Sequence, residues 1–408
     1  MNRTENTIAG PLSDQQARSV ITPCFVLDVD RLEADMRRFV VAMQSQLPRF
    51  VPSLSVKTNP LPMVLEVARS EGWCAEVVSA DEWELARRCG FEPPSIVYNG
   101  PMKSRDTFLE AVAGGAVVNI ETLREVQWLT QLDASRHYTI GVRVNINVSQ
   151  ISPDDQTTHA DDSRFGFAHH TGELADVLNA IGQTPHVYVN RLHIHRTTRT
   201  RSVRFYRRLV EYALQLAADH HIQLEQIDIG GGFHQMLPGR PSYTVYARAV
   251  AEVIAQQRAV DSIGVIAEPG NAVLAPAFTF VTEVIDVKHH DGANYVTIDG
   301  SRFDVDPLFR RNDFPLRVLC ARPTPPQAVR QVLCGCTCLE QDRLMTLQSH
   351  PLLQPGDRII FERAGAYTIT LTPLFSRRWP VVYTSRNGGI AERFDPVGAK
   401  WVKEVGVF

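Results

Sequence analysis

The run AEVVSADEWELARRCGFEPPSIVYN, residues 75–99, joins two short β-branched segments through a helical pattern. Its middle, ADEWELARRCG, has apolar residues at spacings of three and four, which predicts a helix. Two strands joined by one crossover helix run parallel in a sheet. The same alternation extends along the chain in both directions. It yields eight candidate strands, at 53–57, 75–79, 95–99, 116–120, 140–146, 189–195, 226–230 and 264–270.

Eight strand and helix units favour a closed (β/α)8 barrel over an open doubly wound sheet. A further helix is predicted at 30–44, before the first strand, and it would take the place of the missing eighth helix. The stretch 147–163 is the most loop-like part of the barrel. We therefore predict an α/β fold with a TIM-like barrel over residues 30–275.

After about residue 276 the helical patterns stop and alternating strand patterns begin. The segments FTFVTEVIDVKHH and NYVTIDG flank the turn signal DGAN, and later candidates include VLCGCTCL, DRIIFER, AYTITLTPL and PVVYTSR. This part predicts a mainly antiparallel, β-barrel-like domain over 276–408. Residues 20–29, with the run TPCFVLDV, would supply its first strand, and residues 1–19 would form an N-terminal tail.

The composition excludes several classes of function. The chain has 408 residues, 44% of them hydrophobic, and a net charge of −3, so no basic excess favours nucleic acid or an anionic membrane. Neither a signal peptide nor an apolar stretch of membrane-spanning length is visible. The seven cysteines lack the spacing of a disulfide framework, which fits a reducing compartment. We expect a cytoplasmic enzyme acting on small molecules.

Three ionisable residues fall at predicted strand ends, where barrel enzymes place their sites. Lys57 ends the first strand, His195 the sixth and Glu268 the eighth. A pyridoxal phosphate site needs an imine-forming lysine, a flat group against the ring and an acid near the pyridine nitrogen. The glycines 230–232 follow the seventh strand and would let backbone amides approach a phosphate. Alone, Lys57 would be an ordinary surface lysine, and the glycines would fit a tight turn as well as a phosphate site.

Seven motifs follow one another in a recognisable order between residues 22 and 371. They are SVKTNP, AEVVSADEWELA, HIHRTT, IDIGGGF, EPGN, GCTCLEQD and GAYTITL. This order resembles the fold-type III pyridoxal phosphate decarboxylases, which include diaminopimelate, ornithine and arginine decarboxylases and share the alanine racemase-like barrel. The resemblance implies that Lys57 carries the cofactor, that His195 stacks on its ring and that Glu268 faces its pyridine nitrogen. The remaining cofactor contacts it implies are Gly230, Gly231, Gly232, Gly270, Asn271 and Tyr367.

The resemblance also implies a head-to-tail homodimer with shared active sites. Cys338 of one subunit would enter the barrel of the other and return a proton to Cα after the carboxylate leaves as carbon dioxide. The run Cys334, Cys336 and Cys338 would suggest a metal only if it were one extended strand. Since no second cysteine cluster or histidine pair accompanies it, we predict no metal.

The departures from the family pattern concern phosphate and substrate recognition. Asn271 replaces an arginine that contacts phosphate, so Arg196 is a candidate to supply the missing charge. Thr197 and Thr198 replace the Gly and Ser of the family motif, and Thr198 could still bond phosphate. Leu339 replaces the acid that reads a distal ammonium group, and a leucine cannot neutralise a cation. The candidate substrate residues are Arg143, Arg196, Arg199, Leu339, Glu340 and Asp342.

The segment 191–208 holds seven arginines and no acid. Such a run is either a solvated surface or a site for carboxylate or phosphate groups. Arg196, Arg199 and Arg201 would lie nearest the barrel mouth.

We predict a decarboxylase of an α-amino acid, or of an intermediate derived from one, whose distal end is not a simple ammonium group. The alternatives are an amino acid racemase or epimerase and a catalytically silent paralogue. Polyamine, siderophore and natural-product pathways all stay open.

Overall fold

The computed structural model describes residues 12–155, 163–234, 237–322, 326–373 and 375–394. Its first elements are α1 Asp14–Ser19, β1 Cys24–Asp28, α2 Val29–Gln44, β2 Phe50–Ser55, α3 Pro62–Ser70, β3 Cys74–Ser79, α4 Ala80–Arg88, β4 Ile96–Met102, α5 Arg105–Ala113, β5 Val117–Ile120, α6 Leu123–Trp128 and β6 Tyr138–Asn145. The chain continues with α7 Val148–Ile151, β7 Phe167–Ala168, α8 Glu173–Gly182, β8 Val187–His193, α9 Val203–Asp219, β9 Gln226–Asp228, α10 Tyr243–Ala255, β10 Gly264–Ala267 and α11 Asn271–Leu274. The later elements are β11 Phe278–His290, β12 Ala293–Ile298, β13 Leu316–Leu319, β14 Pro326–Gln327, β15 Arg330–Cys334, β16 Arg343–Leu347, β17 His350–Pro351, β18 Arg358–Glu362, β19 Val381–Arg386 and β20 Gly389–Phe394.

The chain forms two compact units. One is Asp35–Ala272 and the other combines the N-terminal segment up to Ala34 with the chain from Val273 onward. The first unit begins five residues after the predicted barrel start at 30 and ends three residues before the predicted end at 275. Of the predicted loop at 147–163, residues 156–162 lie outside the described residues, and 148–151 form α7.

The first unit is a closed parallel barrel, as predicted. Its strands pair in the order β5, β4, β3, β2, β10, β9, β8, β6, and β5 pairs with β6 to close the ring. The register sets Val265 opposite Phe50 and Asn119 opposite Gly141 at two of these pairings. Phe39 of α2 contacts Trp73 after α3 and Tyr243 of α10. Helix α2 therefore lies where an eighth barrel helix would lie.

The second unit contains a sheet in the order β16, β15, β12, β11, β1, β19, β20, with β18 joined to β11 and β13. Strand β1 comes from the N-terminal segment, and it pairs antiparallel with β11. Its pairing with β19 is parallel, as is the pairing of β12 with β15. Part of the predicted tail is ordered, because Leu12 and Ala17 of the α1 region are buried in the core of this unit.

Two strand predictions in the second unit are wrong. Residues 366–371 form turns, because the Thr368 hydroxyl bonds the Ala364 carbonyl at 2.6 Å and the Leu371 and Thr372 amides donate back to Thr368. The cysteine run is not one extended strand either, since β15 ends at Cys334 and a loop follows. In the part of the chain that the structure describes, no helix is long and apolar enough to cross a bilayer.

Candidate active site

Lys57 lies in a short 3-10 turn, Val56–Thr58, directly after β2. Its side chain is 40% exposed, while its amine pairs with Glu76, a β3 residue that is fully buried. The same carboxylate accepts hydrogen bonds from Ser55 at 2.7 Å and from Asn99 at 3.3 Å. Burial alone would raise the pKa of Glu76, but Lys57 and these hydrogen bonds bring it below its usual value. The lysine is thus held by a charged partner and still reachable.

Glu268 follows β10 and joins the same network. Asn99 Nδ2 donates to Glu268 Oε1 at 2.5 Å, and Asn119 donates to both Asn99 Oδ1 at 2.8 Å and Asp228 Oδ2 at 3.2 Å. Burial raises the pKa of Glu268 well above its usual value, and the charges of Asp228 and Glu76 raise it further. Burial also raises the pKa of Asp228 to about 6. The Asp228–Glu268 pair therefore retains a proton near neutral pH.

His195 lies two residues beyond the end of β8, and its half-buried ring lies against Gly230. A Cβ at position 230 would overlap this ring, and the φ of +64° at Gly230 also favours glycine. Burial, with the charges of Arg143 and Lys57, lowers the pKa of His195 to about 3. The imidazole is therefore neutral at physiological pH, so it can offer a flat uncharged face to a ligand.

The glycine turn leaves backbone amides available. A Cβ at Gly231 would lie 2.5 Å from the Glu268 carbonyl oxygen, so only glycine fits between β9 and the end of β10. Among the described residues, no acceptor pairs with the amides of Gly231 and Gly232. Gly270 is close-packed as well, because a Cβ there would overlap the Thr58 side chain. These glycines bring the chain segments that carry Lys57, Glu268 and the turn into contact.

Two polar side chains that were predicted to contact a ligand at the barrel mouth have partners within the protein. Thr198 is 3% exposed, and its hydroxyl accepts the Arg201 amide at 3.0 Å. Arg143 donates to Glu121 at 2.7 Å and stacks on Phe165, 4.6 Å from the ring centre. The phosphate contact of Thr198 and the substrate contact of Arg143 stay predictions.

The arginines of the segment 191–208 differ in their contacts. Four members have structural partners: Arg191 bonds Gln226, Arg204 pairs with Asp154, Arg207 with Glu252 and Arg208 with Glu211. Arg201 packs against Phe233, with its guanidinium 3.5 Å from that carbonyl. Arg199 is exposed and has no ion-pair partner in the described segments. The solvated-surface interpretation therefore covers most of the run, and Arg196 and Arg199 are the remaining substrate candidates.

In the second unit, Cys338 and Leu339 are exposed on the loop after β15. Asp342 fastens this loop: it is buried and accepts from the Arg302 amide at 2.7 Å, the Ser301 hydroxyl at 3.0 Å and the Thr337 hydroxyl at 2.6 Å. A Cβ on Gly335 would overlap its carboxylate. The contact between Asp342 and a substrate stays a prediction. The hydrogen bonds that hold its carboxylate within the loop do not favour that contact.

Glu340 and Tyr367 lie elsewhere on the same unit. Glu340 is exposed and pairs with Arg343 at 3.2 Å. Tyr367 adopts a φ of +57° in the turn after β18, and the residue is 39% exposed. Both side chains are accessible, and their predicted contacts stay predictions.

Residues 33–275 match the family described as pyridoxal-dependent decarboxylase, pyridoxal binding domain. This chain belongs to that family. Among its relatives is a diaminopimelate decarboxylase of Actinosynnema pretiosum subsp. auranticum, 27% identical over 74% of this chain and 70% of the relative. The L-glutamyl-[BtrI acyl-carrier protein] decarboxylase of Niallia circulans is 25% identical over 90% of this chain and 89% of its own. The diaminopimelate decarboxylase from M. jannaschii, solved with L-lysine, shares the fold with a TM-score of 0.80 at 18% identity, covering 93% and 91% of the two chains.

The residues of this decarboxylase fit a pyridoxal ring and phosphate. Lys57 can bind an aldehyde, the neutral His195 can face an aromatic ring, and the Gly231 and Gly232 amides can donate to phosphate. Glu268 is a buried acid that can share its proton with a ring nitrogen. Asn271 begins α11 directly after Gly270, beside this turn in sequence.

Sequence reasoning missed the network behind these side chains. Glu76, Asn99 and Asn119 lie on the adjacent strands β3, β4 and β5, and each is buried. Strands of parallel barrels are normally near-continuous apolar runs. An ionisable or amide residue inside a predicted strand could therefore have indicated this network. The same signal marked Asp228, which ends β9.

Proposed function

We propose that this protein decarboxylates an α-amino acid with a neutral or anionic distal end, using pyridoxal phosphate bound at Lys57. The observation that carries the proposal is the single hydrogen-bonded network from Lys57 through Glu76 and Asn99 to Glu268. It supports a reactive amine and a proton-bearing acid inside the same barrel. The family match favours decarboxylation over the racemase and silent-paralogue alternatives.

The residues of this chain would have distinct roles in the proposed reaction. When bound, the cofactor supplies an electron-accepting ring that stabilises the negative charge left at Cα as carbon dioxide departs. Lys57 would hold the cofactor through its amine, which Glu76 orients as its ion-pair partner. His195 supports the ring face, and Glu268 keeps a proton at the pyridine nitrogen. Cys338 of a second subunit would protonate Cα.

The distal specificity rests on Leu339 and on the Niallia circulans relative. Leu339 is exposed beside Cys338, where related decarboxylases that form diamines have an acid. Burying an ammonium group against leucine costs on the order of several kcal/mol. That relative acts on a glutamyl group, which has no ω-ammonium. We place the reaction in the cytoplasm and leave its pathway open.

We expect lysine and ornithine to be poor substrates. Their kcat/KM should fall at least about a hundredfold below that of the best neutral or carboxylate-bearing analogue, because the distal ammonium has no carboxylate partner. The measurement is carbon dioxide release over a panel of lysine, ornithine, diaminopimelate, glutamate and glutamate thioesters. Efficient turnover of lysine or ornithine would refute the prediction.

Matched variants sharpen this test. Leu339→Asp should raise kcat/KM for lysine or ornithine by about tenfold or more, whereas Leu308→Asp, at another exposed leucine of the same unit, should not. Arg199→Ala should weaken the binding of an anionic substrate. Arg208→Ala should leave that binding unchanged, because Arg208 pairs with Glu211.

We expect the active sites to be shared between two subunits. Lys57→Ala and Cys338→Ala proteins should each have little activity, and mixing them should restore about a quarter of the wild-type sites. The reason is that random pairing makes half the dimers mixed, each with one intact site. The measurement is activity after subunit exchange, verified with two affinity tags. Mixed dimers without recovered activity would contradict a shared site.

A further inference from the structure

Three buried side chains meet inside the barrel, and one of them, Glu268, also belongs to the proposed cofactor site. His193 ends β8, Asp228 ends β9 and Glu268 follows β10, so they come from three neighbouring strands. One nitrogen or oxygen from each lies within 4.8 Å of the others. This cluster is separate from the cysteine run considered in the sequence.

The imidazole of His193 has no hydrogen-bond partner in the described part of the chain. Both ring nitrogens are buried, and the shortest approach to an acid, Nε2 to Glu268 Oε2, is 3.9 Å. Such a separation is too long for a hydrogen bond. A buried imidazole with two unsatisfied nitrogens is costly, so it indicates a ligand.

The two carboxylates are already oriented from behind. Asn99 donates to Glu268 Oε1 at 2.5 Å, and Asn119 and the Gly230 amide donate to the two oxygens of Asp228 at 3.2 and 3.0 Å. Hydrogen bonds of this kind orient the ligands of metal sites and raise their affinity for the ion.

We propose that the cofactor-free protein binds one divalent transition-metal ion, of the Zn²⁺ type, through His193, Asp228 and Glu268. One imidazole and two carboxylates with an open fourth position suit Zn²⁺, whereas Mg²⁺ and Ca²⁺ prefer six or more oxygen ligands. Ligand atoms around tetrahedral Zn²⁺ lie about 3.3 Å apart. The ion would therefore draw these side chains together by up to about 1.5 Å.

Metal and cofactor would exclude each other at this site. This mutual exclusion rests on the proposed function, which assigns Glu268 to the pyridine nitrogen. An ion that takes the Glu268 carboxylate removes that partner, so the metal-loaded protein would remain in its cofactor-free form.

The test begins with cofactor-stripped, chelator-treated protein titrated with ZnCl₂ in a calorimeter. We expect one tight site per chain, and Co²⁺ should give visible ligand-field bands of a tetrahedral site. His193→Ala and the near-isosteric Asp228→Asn should each weaken binding at least about tenfold. His220→Gln is the control, because it removes a surface pair, His220 with His169 at 3.2 Å, and should leave the tight site intact.

Two outcomes would overturn the proposal: no tight site in the wild-type protein, or a site that both His193→Ala and Asp228→Asn leave unchanged. The mutual exclusion of metal and cofactor is tested by following pyridoxal phosphate uptake through its visible absorbance. Bound Zn²⁺ should slow this uptake, and a chelator should restore its rate. Uptake at the same rate with Zn²⁺ bound would overturn exclusion alone. If metal-free protein takes up no cofactor, the proposed function fails while the metal result stands.

Discussion

The Lys57→Ala protein is expected to lose the visible absorbance of bound cofactor and to turn over at least about a thousandfold more slowly than wild type. Lys57 is the lysine whose side chain is two-fifths exposed and whose amine pairs with the buried Glu76. Removing it removes the nucleophile that binds and releases the cofactor. Absorbance spectra and carbon dioxide release measure the two effects.

Borohydride reduction gives the assignment its sharpest check. In wild-type protein the reduced cofactor should be found on the peptide that contains Lys57, and in Lys57→Ala protein on none. Lys288→Ala is the matched control, because the side chain of that lysine is 74% exposed and its ion pair with Asp286 spans 3.9 Å, so its spectrum should be unchanged. Cofactor fixed to another lysine in Lys57→Ala protein would show the assignment to be wrong.

The Lys103→Met protein is expected to lose about 3–5 kcal/mol of unfolding free energy. Lys103 and Glu125 are both fully buried, and the amine donates to Glu125 at 2.9 Å and to the Gly100 carbonyl at 2.6 Å. Methionine fills most of the space but leaves the Glu125 charge without its cation. Denaturant unfolding and the melting temperature, which should fall on the order of 10 °C, provide the measurement.

Two comparisons separate the lost ion pair from lost packing. In Lys103→Met/Glu125→Gln protein the neutral amide should recover most of the stability, because it can still accept from the Glu121 and Thr122 amides at 2.8 and 3.1 Å. Arg88→Met should cost only a small fraction of the Lys103 loss, since its partner Glu84 is 3.8 Å away and both are exposed. Equal losses in the single and double variants would contradict the argument.

Local patterns were sufficient to predict the architecture and to propose three strand-end residues for a cofactor site. Period-2 and period-3.6 patterns depend on neighbours a few residues apart, so eight strands with crossover helices could be recognised without coordinates. A strand end in a barrel faces the site, which is why Lys57, His195 and Glu268 could be proposed by position. The errors came where a side chain competes with the strand ladder, as Thr368 does by bonding its own turn.

The arginine run shows what position alone cannot decide. Arg199 and Arg201 were both expected near the barrel mouth, yet the Arg201 guanidinium lies at the Phe233 carbonyl while Arg199 is exposed without an acid in the described residues. Likewise, Asp342 is expected near substrate from its motif, but its carboxylate fastens the loop of Cys338. Which donors reach a carboxylate depends on contacts between segments distant in the chain.

By itself, the sequence determined the strand and helix alternation, the glycines of the turn and the chemical types at the strand ends, since each depends on local backbone preferences. Only the tertiary structure decided that Glu76, Asn99, Asn119, Asp228 and Glu268 form one buried network. It also decided that His193 lies beside this network without a hydrogen-bond partner among the described residues. The reason is physical: barrel closure and strand register bring these side chains together, and burial then sets their charges.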